Sequence, residues 1–247
     1  MTLRPHSIVS ELGHNLMDHH LVGGAWGRST EFQDRCYRGR RPVGVCVPRF
    51  RNVTEQRKDY LRGFYYGGGA QRGNWMRTIG ELSLTGDALK EQLGVPGEWT
   101  MGLGGVGECL PYHDNRVSLS PDQLDAWGLP QLSIHCEFRD NEANMRADVT
   151  ASAAEMLEAG GLRDVQTFSD PPVPGAYIHE MGTARMGRDP KTSVLNGFNQ
   201  VHAVPNVFVT DGACMSSSAC QNPSLTCMAL TARAAAHAVS ALRKRDL

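Results

Sequence analysis

The sequence predicts a mixed α/β or α+β fold, and three observations predict it. Short β-branched or alternating runs stand at 43–47, 115–119, 131–138 and 207–209. Helical periodicity occupies 85–93, 147–159 and the stretch from 223 onward. The two kinds of run interleave along the chain, which is the pattern of a sheet covered by helices.

In chain order, residues 10–20 (SELGHNLMDHH) read as a short helix or turn broken by Gly13. Residues 21–80 are rich in Arg, Gly and aromatics, and Val43, Val45 and Val47 alternate into a strand that Pro48 ends. Residues 85–93 form a short helix before Gly94. In the strand at 131–138, Leu132, Ile134, Cys136 and Phe138 share one face and His135 takes the other, as a surface or packing histidine. The helix at 147–159 is amphipathic and closes at Gly160-Gly161.

Near the C-terminus, Val207, Phe208 and Val209 read as a buried strand ended by Asp211-Gly212, with a small-residue loop to Ala219. Asn222 offers an N-cap oxygen and Pro223 sits at the first helical position. From there Leu225, Met228, Ala232, Ala235, Val239 and Leu242 repeat down one face, and Arg243, Lys244 and Arg245 suit the negative end of the helix dipole. The amides at Ser224, Leu225 and Thr226 have no acceptor within the helix, so negative charge can rest there.

Composition excludes several classes. A chain of 247 residues, 40% hydrophobic and with 27 glycines, is long enough for one large domain or two small ones. The net charge of −1 argues against nucleic acid or an anionic membrane. The arginines at 35, 38, 40, 41, 49 and 51 therefore read as solvated surface. No run is expected to reach the roughly 18 apolar residues of a membrane span, and residues 1–20 lack a signal-peptide core. Seven cysteines without a C-x-x-C suit reduced thiols, and hence a cytoplasmic protein.

Two motifs fail on their flanks. GLGGVG at 102–107 spells G-x-G-x-x-G, but PGEWTM precedes it and Pro111 follows, so it reads as a flexible glycine loop and not as a dinucleotide fingerprint. His179-Glu180 begins H-E-x-x-H, but Thr183 stands where the second histidine belongs, and no metal is expected. His19, His20 and His202 have no partner that spacing identifies and read as structural.

One ordered set remains: HEMGTARMG (179–187), SVLN (193–196), VPNVFVTDGA (204–213) and NPSLT (222–226), with LGHNLMDHH upstream. This set resembles the C-terminal half of the glucose–methanol–choline (GMC) family of FAD-dependent oxidoreductases. There H-x-x-G-T-x-x-M, a strand ending in D-G-[SA], N-P-x-x-T and an earlier G-[RK]-N-L-x-D-H recur in this order. The resemblance implies that His179 takes the proton from a substrate hydroxyl and that Asn222 is its partner. It implies that Asp211, Gly212 and Ala213 meet the ribityl–pyrophosphate part of FAD, and that Pro223, Ser224 and Leu225 face its ring. It divides the chain into a flavin-domain segment (1–20), a substrate-binding domain (21–178), whose sheet carries flanking helices, and a segment (179–247) whose strand and helix return to the FAD-binding domain.

The family's N-terminal Rossmann unit is expected to be absent. A fragment, a subunit pairing with a separate N-terminal FAD-binding chain, and a non-catalytic remnant all remain open. The implied activity is oxidation of CH–OH groups of alcohols or sugars, closest to the sugar- and polyol-oxidising branch. The alternative is a non-catalytic binding or assembly subunit that keeps the fold.

Overall fold

The computed structural model describes residues 11–31, 44–72, 82–95, 97–169 and 173–246. The arginines at 35, 38, 40 and 41 and Val43 lie outside these residues. In chain order the elements are β1 (His19–Ser29), β2 (Gly44–Val47), β3 (Phe64–Arg72), α1 (Gly86–Gly94), β4 (Trp99–Glu108), β5 (Arg116–Leu124) and β6 (Pro130–His135). There follow α2 (Asp140–Ala159), β7 (Arg163–Phe168), β8 (Gln200–Val201), β9 (Val204–Phe208) and α3 (Ser224–Lys244). The main sheet is antiparallel throughout, in the order β2-β3-β4-β1-β7; β5-β6 and β8-β9 are separate hairpins.

The glycine run at 102–107 is a correction to the sequence reading. It is a strand, not a loop: β4 pairs with β1 on one side and β3 on the other over its whole length. A Cβ on Gly105 would stand 2.3 Å from Val149 Cγ1, and one on Gly107 would stand 2.3 Å from His20 Nε2. Glycine is therefore needed because α2 lies directly on the strand. The core forms at that contact from Ala25, Tyr60, Phe64, Tyr66, Leu103, Met145, Val149, Ala153 and Leu157, and the Tyr66 hydroxyl donates to the Val149 carbonyl at 2.6 Å.

Helix α2 begins at Asp140, earlier than its apolar periodicity suggested. Glu142 makes the difference: its carboxylate accepts from the Arg139 and Leu110 amides and from the Tyr112 hydroxyl, which satisfies the helix start while buried. Beside it, Asp148 is held low in pKa: the Tyr60, Arg51 and Ser152 hydrogen bonds outweigh the upward push of burial.

Residues 11–18 make a turn and then an extended crossing rather than a helix. The Gly13 amide bonds Thr183 O at 2.7 Å, and Met17 and Met181 exchange both backbone hydrogen bonds at 2.8 and 2.9 Å. A second core of Met17, Cys109, Met181, Ala184, Val194, Leu195, Cys214 and Met215 closes around this crossing. Asp18 is carried inside with it, 2% exposed. Burial, and then the charge of Glu180, push its pKa up to about 6, against the pull of the His19, Gly175 and Tyr177 amides.

Three further readings are corrected in the C-terminal part. The strand at 207–209 ends at Phe208 and is not buried, with Val207 43% exposed, because among the described residues β9 pairs only with the short β8. The stripe Leu225, Met228, Ala232, Ala235, Val239 and Leu242 faces outward on α3, while Cys227, Leu230 and Ala234 face the protein and His237 stacks on Phe198 at 4.2 Å. By length and composition α3 is also apolar enough to cross a membrane, contrary to expectation. Its inward face is engaged: Arg233 reaches Asn199 Oδ1 at 3.4 Å. On the β5-β6 hairpin, Leu132 and Ile134 are exposed, whereas Phe138, past the end of the strand, turns in against His20.

Two outcomes follow for stability. Gly105→Ala should lower unfolding free energy by about 1–3 kcal/mol through overpacking against Val149. Gly104→Ala, whose Cβ would meet only Gly67 O at 3.8 Å, should be neutral or slightly stabilising. Urea unfolding of the two variants side by side is the check, and equal losses would refute the packing explanation.

The second outcome concerns pH. Asp18 has its folded pKa raised above the unfolded value, so its contribution is complete below about pH 4 and is lost as pH rises through about 6. Asp18→Asn should remove that loss, gaining up to about 3 kcal/mol on the wild type between pH 4 and 7. A stability difference that stays flat across this range would show that the carboxylate is not held at a cost.

Candidate active site

Three segments lie side by side beneath the site, the third a single 3-10 turn at Gly212–Cys214, and backbone bonds fix their order. Residues 13–17 pair with 181–183; on the other side the Gly182 amide reaches Gly212 O at 3.4 Å, Ala184 reaches Ala213 O at 2.8 Å and Met186 reaches Cys214 O at 2.9 Å. Two glycines permit the spacing. A Cβ on Gly182 would meet Asn15 O at 2.1 Å, with φ already at +98°, and one on Gly212 would meet Glu180 O at 2.6 Å. Gly212 thus has a reason within this chain to be glycine. Asp211 caps the turn through its Oδ1, which accepts from the Ala213 amide at 3.0 Å.

His179 stands at the edge of this stack with φ at +75°, a left-handed conformation that costs a non-glycine residue on the order of 1–3 kcal/mol. Its Nδ1 lies 3.3 Å from Nδ1 of His19, and His19 Nε2 lies 3.2 Å from the carbonyl oxygen of Ser218. His19 is buried, and burial first, then the charge of His179, lowers its pKa. On the neighbouring strand its register partner is Glu108, which accepts from the Ser217 hydroxyl and lies 3.8 Å from Arg49 and 3.7 Å from Arg62. His20, on the other face, is a packing histidine; burial drives its pKa down to about 3.

Ser217 and Ser218 lead directly to a cleft of about 140 Å³ lined by Met181, Met215, Ser217, Ser218, Ala219, Gln221, Asn222, Pro223 and Thr226. Asn222 and Pro223 are therefore part of its wall. His179 is not, but it is joined to that wall through His19 and Ser218. Asn222 does not cap α3 as expected: Pro223 holds the N-cap position with helical φ and ψ, and no side chain caps the first turn. That leaves the Asn222 amide facing the cleft. Ser224, Leu225 and Asp211 are exposed, and Ala213 is half-buried on the second core.

These residues fit one side of a flavin. An exposed helix start with uncapped amides, beside a largely apolar cleft that Gln221 and Asn222 also line, matches the chemistry of a ring edge and a substrate hydroxyl. They do not make a diphosphate cradle: the glycine run that could have formed one is strand β4, and the space beside Gly212 is filled by Glu180. Among the described residues no group of three or more His, Cys, Asp or Glu is placed to hold a metal ion.

The sequence reading missed His19, Glu108, Ser217 and Ser218. For His19 a signal existed, since it closes the N-L-x-D-H run that the resemblance had already singled out. The others stand in no motif, and only the strand register brings Glu108 to them.

Residues 111–231 match the family model described as GMC oxidoreductase. The 2-methyl-1,2-propanediol dehydrogenase of Mycolicibacterium austroafricanum is 39% identical over 131 residues, 52% of this chain and 23% of that protein. The gluconate 2-dehydrogenase flavoprotein of Pantoea cypripedii is 32% identical over 132 residues, 51% of this chain and 21% of its own length. The fructose dehydrogenase large subunit of Gluconobacter japonicus aligns over 235 residues at 26% identity, 94% of this chain and 42% of that subunit. The chain thus spans less than half the length of these relatives. With motifs, family match and relatives all in agreement, residues 111–231 carry the C-terminal domain of the GMC oxidoreductase family.

Proposed function

We propose that this chain is the substrate-domain half of an FAD-dependent oxidoreductase that acts on CH–OH groups of polyols or sugars, completed by an FAD-binding half. The observation that carries the reading is the hydrogen-bonded path from His179 through His19 to Ser218 in the wall of the cleft that Asn222 also lines. The relatives named above for a diol, fructose and gluconate support a hydroxyl-rich substrate, and Gln221 and Asn222 in the cleft wall are amides suited to bond one.

Oxidising an alcohol removes a proton from oxygen and a hydride from carbon. Bound FAD supplies the acceptor for the hydride. His179 takes the hydroxyl proton: its Nδ1 is turned to His19, which leaves Nε2 for a substrate oxygen. Asn222 holds that oxygen without titrating. Pro223, Ser224 and Leu225 would border the ring, where the amides at the α3 start would favour negative charge. Asp211, Gly212 and Ala213 would adjoin the ribityl side, and the other half would hold the diphosphate.

The test is anaerobic stopped-flow reduction of the enzyme reconstituted with its FAD-binding half. His179→Ala should slow flavin reduction about 10²-fold or more with flavin content unchanged. Asn222→Ala should slow it too but leave stability within about 0.5 kcal/mol, because no cap is lost. Wild-type reduction rates in both variants would instead favour a non-catalytic assembly subunit.

A further inference from the structure

His19 has no part in the reaction just described, yet its two contacts give it one. Its Nε2 faces the Ser218 carbonyl oxygen at 3.2 Å and its Nδ1 faces Nδ1 of His179 at 3.3 Å, with the rings inclined at 74°. A carbonyl oxygen only accepts, so Nε2 of His19 carries a proton. A neutral imidazole has one N–H, so Nδ1 of His19 is then a bare lone pair. The contact between the two Nδ1 atoms has a single consistent direction: Nδ1–H of His179 donates and His19 accepts. Nε2 of His179 is left unprotonated, which is the form a base needs.

We propose that His19 is a positioning residue that fixes His179 in the Nδ1–H tautomer, its own tautomer being fixed by the Ser218 carbonyl. The inference rests on the reading of His179 as the base.

The relay holds while His19 is neutral, and its surroundings keep it so. The side chain is 1% exposed, and burial is the largest influence on its ionisation, with His179 acting in the same sense. Glu108 pulls the other way, but the Ser217 hydroxyl donates to its carboxylate and Arg49 and Arg62 flank it, and the net direction remains downward. The opposite tautomer of His19 would set an unprotonated Nε2 against the Ser218 oxygen. Two acceptors facing each other in a buried site repel and leave both unsatisfied. Turning the His179 ring over would put a C–H where Nδ1–H now meets His19 and leave the His19 lone pair unpaired.

The tautomer can be read without turnover. In the ¹⁵N-labelled chain at about pH 8, above the ordinary histidine range, long-range proton–nitrogen NMR distinguishes protonated from bare ring nitrogens. His179→Ala assigns the signals. The wild type and His19→Asn, whose side-chain oxygen can still accept, should show His179 protonated at Nδ1. His19→Phe should return His179 to the mixture of free imidazole, in which Nε2–H predominates. In the reconstituted enzyme His19→Phe should lower kcat about 10-fold, with KM changed less than about twofold, and His19→Asn should recover most of the loss.

A wild-type His179 protonated at Nε2 overturns the proposal, as does a His19→Phe spectrum identical to wild type. Should His19→Phe fail to fold, the wild-type and His19→Asn spectra decide on the same criterion. The spectrum reads this chain's own nitrogens, so a His179→Ala variant that kept full activity would overturn the function and not the tautomer.

Discussion

The reciprocal pair of backbone hydrogen bonds between Met17 and Met181 is the constraint on which the site depends. It joins residues far apart in sequence and fixes their register, so His19 and His179, each two residues further from the pair, meet at its end. The same join buries both methionine side chains in the second core. Because side chains alternate along extended backbone, a slip of one residue would carry the imidazoles to opposite faces. The glycines at 182 and 212 guard against such a slip, since each lets the next backbone approach to a distance that a Cβ would forbid.

What could be read from the sequence divides along one physical line. Local signals held: the strand before Pro48, the helix at 86–94, the glycine close of α2 and the start of α3 within a residue or two. Signals that depend on what an element packs against did not. GLGGVG looks like a loop because glycine has no side chain to show a period, yet in β4 the missing side chains are what admits Val149 and His20. The early start of α2 was hidden because Glu142, a charged residue, holds it by being buried with four donors around it. In α3 the period was right and the face was wrong. That helix has apolar residues on both sides, and periodicity alone cannot say which side meets the chain's own core.

The site was legible only where motif and chemistry coincide. His179 and Asn222 could be named because their spacing follows a family pattern. The network that connects them could not, because it runs through a backbone carbonyl at Ser218 and a cross-strand register between His19 and Glu108. A carbonyl oxygen has no letter in the sequence. The same holds for Asn222: its letters say N-cap, but helical φ and ψ at Pro223 take the capping position and release the amide to the cleft.

The cost of the arrangement is concentrated where the chemistry is placed. His179 holds a left-handed φ, and Asp18 is a buried acid whose pKa is raised. Each is unfavourable by a few kcal/mol at most, and neither would persist on a free loop. His179 adjoins the segment 181–186, clamped on two sides by 13–17 and by 212–214, and Asp18 adjoins 13–17; all are anchored in a core of methionine, leucine and cysteine side chains. Clamping only one side would let residues 179–180 relax into an ordinary extended conformation and turn the imidazole away from His19. The strained backbone, the buried acid and the histidine pair are thus consequences of the same close-packed crossing, and a change that loosens it at Gly182 or Gly212 disturbs all three together.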